Sequence, residues 1–174
     1  MSETLLPAEL IAAARRTIEA NRGAGRTVAA AESCTGGLVS AALTELPGSS
    51  DVFDAGFVTY SNDAKIAQLG ISSDVIDTFG AVSIATAWAM AQGALAKSTA
   101  DVAVAVTGVA GPEGGSAKKP VGTVIFARAV RGANPNDVHA ERRDFGDLGR
   151  AGVRLQAALW ALERLMPADG DAAP

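Results

Sequence analysis

A chain of 174 residues, 48% hydrophobic and 20% charged with a formal net charge of −4, has the apolar content of one folded domain and not that of a disordered linker. No basic stripe marks a nucleic-acid surface, no apolar run approaches the ~20 residues of a membrane span, and the opening MSETLLPAELIAAARR lacks the layout of a secretory signal. With Cys34 as its one cysteine and His139 as its one histidine, the chain has no intramolecular disulfide or structural zinc cluster to offer; a soluble, cytoplasmic, metal-free domain is expected.

Leu6, Leu10, Ile11, Ala14 and Ile18 recur at helical spacing and predict a helix over 6–22, closed by Asn21 and Gly23. The apolar run 27–31 reads as a buried strand. Residues 36–46 read as a helix stopped by Pro47-Gly48, and 52–60, rich in Val, Phe and Tyr, as a second strand. Short helices follow over 62–69, ended by Gly70, and over 74–79. Ser83 caps a helix over 84–97, whose Ile84, Ala87, Trp88, Ala91 and Leu95 share one face. The continuous run DVAVAVT (101–107) predicts a central strand covered on both faces.

Beyond a glycine-rich loop over 108–120, two β-rich stretches, 121–130 and 138–145, flank a hairpin-like Asn134-Pro135-Asn136. A last helix over 148–165 presents Val153, Leu155, Leu159, Trp160 and Leu162, and 166–174 reads as a loose tail. Helices alternating with apolar strands, and a late hairpin, predict a single α/β domain over 1–174. It is a three-layer α/β/α arrangement with a mixed, mostly parallel sheet of about five strands.

The segment AAAESCTGG (29–37) sits where a strand hands over to a helix, the edge at which α/β sheets bind ligands. Free N–H groups at the start of that helix can hold an anion or a developing oxyanion, and a serine at such a tip is placed for attack. Ser33 and Thr35 also read as helix caps, with Gly36-Gly37 a close packing point. On local pattern alone that plainer reading is the commoner one.

A nucleophilic serine needs a base. His139 lies in a polar, edge-like strand and reads as exposed. Of the four lysines, Lys97 ends a helix and Lys118-Lys119 sit in a loop. Lys65 falls instead in a first helical turn after Ser61 or Asn62, where the dipole and partial burial lower a lysine pKa. The plain alternative is a lysine whose head reaches water. Tyr60 ends the preceding strand, so its hydroxyl can reach the same edge, or serve only as a sheet tyrosine.

The loop TGVAGPEGG (107–115) lets backbone N–H groups approach a phosphate or carboxylate closely. It is no P-loop, and no G-x-G-x-x-G is present, so nucleoside triphosphate use is unsupported. Cys34 reads as a buried, inert thiol pointing away from Ser33.

The segments AAESCTGG (30–37), VTYSNDAKIAQLGI (58–71), GAVS (80–83), TGVAGPEGG (107–115) and KPVGTV (119–124), in this order, resemble the CinA C-terminal family. The resemblance runs from about Leu6 to Leu165. It implies a nicotinamide-nucleotide amidase that uses no metal and no organic cofactor. Its nucleophile falls on Ser33, its tyrosine on Tyr60 and its lysine on Lys65, in a Tyr-assisted Ser–Lys mechanism that turns nicotinamide mononucleotide into nicotinate mononucleotide and ammonia. N–H groups around Cys34, Thr35 and Gly36 are expected at the oxyanion.

A dianionic phosphate on a chain of net charge −4 needs local positive potential. Thr107, Gly108, Gly111, Lys119 and an arginine of the last helix are the candidates. The expected partners are a mononucleotide substrate and, by the resemblance, further copies of the chain in a dimer or larger homo-oligomer. The alternatives are a non-catalytic nucleotide-binding or regulatory module of the same fold, and a Ser–Lys amidase for another small amide. Three departures from the family's pattern stand out. Ile84 and Ala85 follow GAVS where acids are usual, Glu113 replaces a small residue, and Gly146-Asp147-Leu148 lacks the arginine of a G-D-R motif, with Arg150 and Arg154 nearby.

Overall fold

The computed structural model describes residues 4–169 and 171. Helix α1 (Ala8–Gly23) leads to strand β1 (Val28–Glu32), helix α2 (Leu38–Thr44), a short 3-10 turn (Ser49–Asp51) and strand β2 (Phe53–Val58). Helices α3 (Asn62–Leu69), α4 (Ser73–Phe79) and α5 (Ile84–Ala96) then precede β3 (Val102–Gly108). The pair β4 (Thr123–Val130) and β5 (Ala140–Asp144) is followed by α6 (Gly149–Arg164). None of these helices is long and apolar enough to cross a membrane.

The five strands form one sheet in the order β2-β1-β3-β4-β5. β1 pairs in parallel with both β2 and β3, and the β3–β4 and β4–β5 pairs are antiparallel, so every strand except β4 points the same way. Helices cover both faces, which gives the three-layer α/β/α architecture. The inner strands β1 and β3 are buried nearly throughout, which is why VAAAE and VAVAVTG read as runs and not as alternations.

The two faces differ in bulk. Val28, Val102, Val104, Val106, Val124 and Phe126 pack with α1, α2 and α6. The opposite face offers Ala29, Ala31, Ala103, Ala105, Ala127 and Ala129, a floor of methyl groups on which α5 settles through Ala87, Met90, Ala91 and Ala94. Gly93 lets α5 pass the end of α3, because a Cβ there would lie 2.3 Å from the Leu69 carbonyl oxygen.

Several boundaries differ from expectation for local reasons. The helix expected over 36–46 begins at Leu38, because Gly36 and Gly37 take left-handed φ values of 60° and 95°. The strand expected from 121 starts at Thr123, after a turn in which the Thr123 N–H donates to the Pro120 carbonyl. The start of α5 does not use acids: Ser83 Oγ accepts from the Thr86 N–H at 3.1 Å, and Thr86 Oγ1 donates to the Gly80 carbonyl at 2.7 Å. The tail expected to be loose is fastened at Asp171, whose carboxylate accepts from Arg26 and Arg128 and from the Ala168 N–H. Residues 170 and 172–174 lie outside the described residues.

Candidate active site

The site forms where β1, β2 and β3 end side by side. The Ser33 N–H donates to the Val106 carbonyl at 2.9 Å, and the Thr59 N–H donates to the Glu32 carbonyl at 2.8 Å. The first residues past each strand are therefore still held in sheet register. Between Thr59 and α3 lies Ser61, whose hydroxyl caps the helix by accepting from the Ala64 N–H at 3.0 Å. Lys65, in the first turn of α3, is thereby aimed back over the strand ends.

Lys65 Nζ lies 3.0 Å from Ser33 Oγ and 2.7 Å from the Thr59 carbonyl oxygen, and the lysine is only 1% exposed. Removal from water pulls its pKa below that of a free lysine. Cys34 is buried beside it, and that burial pushes the thiol up to about 12, so it stays protonated and unreactive near neutral pH. A cavity of about 200 Å³ opens over the pair, lined by Ser33, Cys34, Tyr60, Lys65, Thr107 and Arg150 among others.

The turn after Ser33 is organised from below. Glu32 is fully buried, and its carboxylate accepts from Thr35 Oγ1, the N–H groups of Gly37, Val39 and Ser40, and Ser40 Oγ at 2.7–3.1 Å. This corrects the expectation of an anion site at the start of α2, since the protein's own carboxylate fills it. The Gly36 N–H is also spent, donating to the Ser33 carbonyl at 3.0 Å. Among the described residues the Cys34 N–H faces no acceptor other than its own sulfur, and the Thr35 N–H faces none.

The remaining expected residues are placed unevenly. Tyr60 is 60% exposed at the cavity rim, and its hydroxyl accepts from Arg150 at 2.8 Å and makes no bond to Ser33 or Lys65. Thr107 lines the cavity while its hydroxyl donates to the Ala81 carbonyl at 2.8 Å. Gly108 also lines the cavity, and the Val109 N–H is spent on the Thr123 carbonyl. Gly111 does not line it; its carbonyl accepts from Arg150 at 2.8 Å. Lys119 is not brought in: its Nζ reaches the Phe79 carbonyl at 3.3 Å, outside the cavity. A larger groove of about 500 Å³ beside β4 and β5, lined by His139, Trp88 and Arg128 among others, holds none of these residues.

Two arginines one turn apart on α6 close the arrangement. Arg150 joins Tyr60 to Gly111, and Arg154 donates to the Thr35 carbonyl at 3.0 Å. Leu148 stands where the G-D-R motif would have an arginine, and two residues on Arg150 reaches the cavity rim. Glu32 carried a signal of its own: a carboxylate ending a buried apolar run must find donors nearby.

Fold and site together define a three-layer α/β domain with a buried serine–lysine pair at the carboxyl edge of its sheet. The chain belongs to the CinA C-terminal domain family, whose model matches residues 11–168. Nicotinamide-nucleotide amidohydrolase PncC of Escherichia coli K12 is 44% identical over 158 residues, covering 90% of this chain and 93% of that protein. The protein of the same name from Enterobacter agglomerans is 51% identical over 139 residues, covering 80% and 82%. A CinA-like protein of Syntrophobacter fumaroxidans is 46% identical over 153 residues and 86% of this chain, which spans 35% of that longer relative. The chain spans about a third of the length of such longer curated relatives. The crystal structure of the competence/damage inducible protein CihA from Agrobacterium tumefaciens is similar with a TM-score of 0.87 at 51% identity, covering 93% of this chain and 96% of that one.

Proposed function

We propose that this chain is a nicotinamide-nucleotide amidohydrolase acting through a Ser33 acyl-enzyme with Lys65 as the base. The observation that carries the reading is the 3.0 Å contact between Lys65 Nζ and Ser33 Oγ, buried at the floor of a cavity. The names of the two PncC relatives, which this chain covers over most of their length, supply the substrate.

A neutral amine has two N–H bonds and one lone pair. The Thr59 carbonyl takes one N–H, which leaves the lone pair free to accept the Ser33 proton. Ser33 Oγ attacks the carboxamide carbon as its proton passes to Lys65. The C–N bond then breaks, and Lys65 returns the proton to the departing nitrogen, which leaves as ammonia. Water attacks the resulting ester with Lys65 again as base, giving the carboxylate and restoring Ser33.

The N–H groups of Cys34 and Thr35 serve the oxyanion. Arg150, with the unclaimed N–H group of Ala110, takes the phosphate in place of Lys119. Tyr60 holds Arg150 and shapes the rim, and the proton moves directly between Ser33 and Lys65. Homo-oligomerisation rests on the family resemblance alone, and light scattering on the purified protein tests it.

The decisive assay is ammonia release from nicotinamide mononucleotide by wild type beside Ser33→Ala. Wild type turns over, and the variant loses on the order of 10³-fold or more. A folded wild type that binds the nucleotide without turnover is a binding module, and one that hydrolyses only other amides has a different substrate.

A further inference from the structure

We infer that Glu32 is a positioning residue for the oxyanion hole, an inference that rests on Ser33 being the nucleophile. A carboxylate taken wholly out of water is tolerated only when its oxygens are fully hydrogen-bonded. All five donors to Glu32 come from Thr35, Gly37, Val39 and Ser40, the turn that follows Ser33 and the first residues of α2, and all are neutral. The hydrogen bonds of this buried charge are therefore spent on fixing that turn against the start of α2. It engages every N–H from Gly37 to Ser40 except that of Leu38, which donates to Thr35. What it leaves unclaimed are the N–H groups of Cys34 and Thr35, the two that follow Ser33 in the chain.

A second element supports the same network from behind. Gly56 of β2 faces Ser40, and a Cβ at Gly56 would sit 2.3 Å from Ser40 Oγ. The strand is kept bare at the point where the Ser40 hydroxyl must turn toward Glu32, 2.7 Å away. Glu32 touches no substrate in this scheme. It fixes the peptide planes whose N–H groups meet the charge that develops on the carboxamide oxygen, and it bars the substrate phosphate from the start of α2. The phosphate is thereby left to the Arg150 side of the cavity.

The test uses pyridine-3-boronic acid, a nicotinamide mimic whose boron accepts Ser33 Oγ to form a tetrahedral anion while the serine proton passes to Lys65. Glu32→Gln keeps the side-chain length but loses one acceptor oxygen. It is expected to lower kcat on the order of 10²-fold with KM within about threefold of wild type. Boronate affinity falls by a similar factor, while nicotinamide mononucleotide binds Ser33→Ala and the Glu32→Gln, Ser33→Ala double variant alike. Gly56→Ala, whose added methyl would meet Ser40 Oγ at 2.3 Å and the Phe53 ring at 3.1 Å, shifts kcat and boronate affinity in the same direction by a smaller factor, and it decides the matter if Glu32→Gln fails to fold. Wild-type kcat and boronate affinity in the folded variants, or a loss confined to KM, overturn the inference. Boronate binding by wild type that survives Ser33→Ala overturns the Ser33 reading itself, and this inference with it.

Discussion

Lys65 Nζ and Ser33 Oγ meet at 3.0 Å with the lysine buried from water, although 32 residues of chain separate them. Because the lysine side chain is buried, a methionine at 65 fits where a permanently charged guanidinium would not. Lys65→Met is expected to lower kcat by roughly 10²–10⁴-fold, the range for loss of a general base, with an unchanged or raised Tm. Lys65→Arg loses both activity and stability. Parallel ammonia assays and thermal melts check the pair, and a Lys65→Met variant with wild-type turnover ends the assignment of the base.

Burial lowers the Lys65 pKa below the 10.5 of a free lysine. With the neutral amine as the proposed base, kcat/KM is expected to rise with pH through the lowered value, and Lys65→Met to remove that limb. Stability carries the same sign. Between the folded and the unfolded pKa the unfolded chain binds more protons, so this group makes the protein more stable as pH rises toward 10.5. Urea titrations at several pH values should show that slope in wild type and a shallower one in Lys65→Met.

Arg150 donates to Tyr60 Oη and to the Gly111 carbonyl, which places a cation on the rim of the cavity. Arg150→Ala is expected to raise KM for the mononucleotide by about 10–100-fold with a smaller effect on kcat, as loss of a charge-assisted contact to phosphate would do. Tyr60→Phe costs less than tenfold on the same scale. An unchanged KM in Arg150→Ala removes that residue from the phosphate site.

Replacing glycine by alanine inside a helix adds up to about 1 kcal/mol from propensity alone. At Gly93 the sign reverses, because the new methyl would meet the Leu69 carbonyl oxygen at 2.3 Å. Gly93→Ala is expected to cost about 1–3 kcal/mol, as overpacking does, measured as a lowered urea midpoint. A raised midpoint would mean that α5 lifts freely from α3.

Where the signals were local, the sequence carried the fold closely. Asn62–Leu69 lies between a capping Ser61 and a left-handed Gly70, and its bounds match expectation. The buried runs at β1 and β3 announced inner strands. Partners set by tertiary approach were harder to read. Nothing near Leu148 indicates that Arg150 will reach Tyr60, 90 residues earlier, and Lys119 has the right charge but a backbone path that ends on Phe79. The start of α2 looked open to anions because its occupant, Glu32, belongs to the strand before it.

The serine rides on an inner strand, whereas the lysine is tethered through the Thr59 carbonyl to the end of β2, which lies at the margin of the sheet and pairs only with β1. The proposed catalytic pair is thus assembled across the seam between a fully buried inner strand and an edge strand. Marginal strands open at lower free energy than the centre. Enzymatic competence then acts as a gauge of whether that one seam is closed, and it should vanish in mild denaturant while the circular dichroism of the helices is still intact.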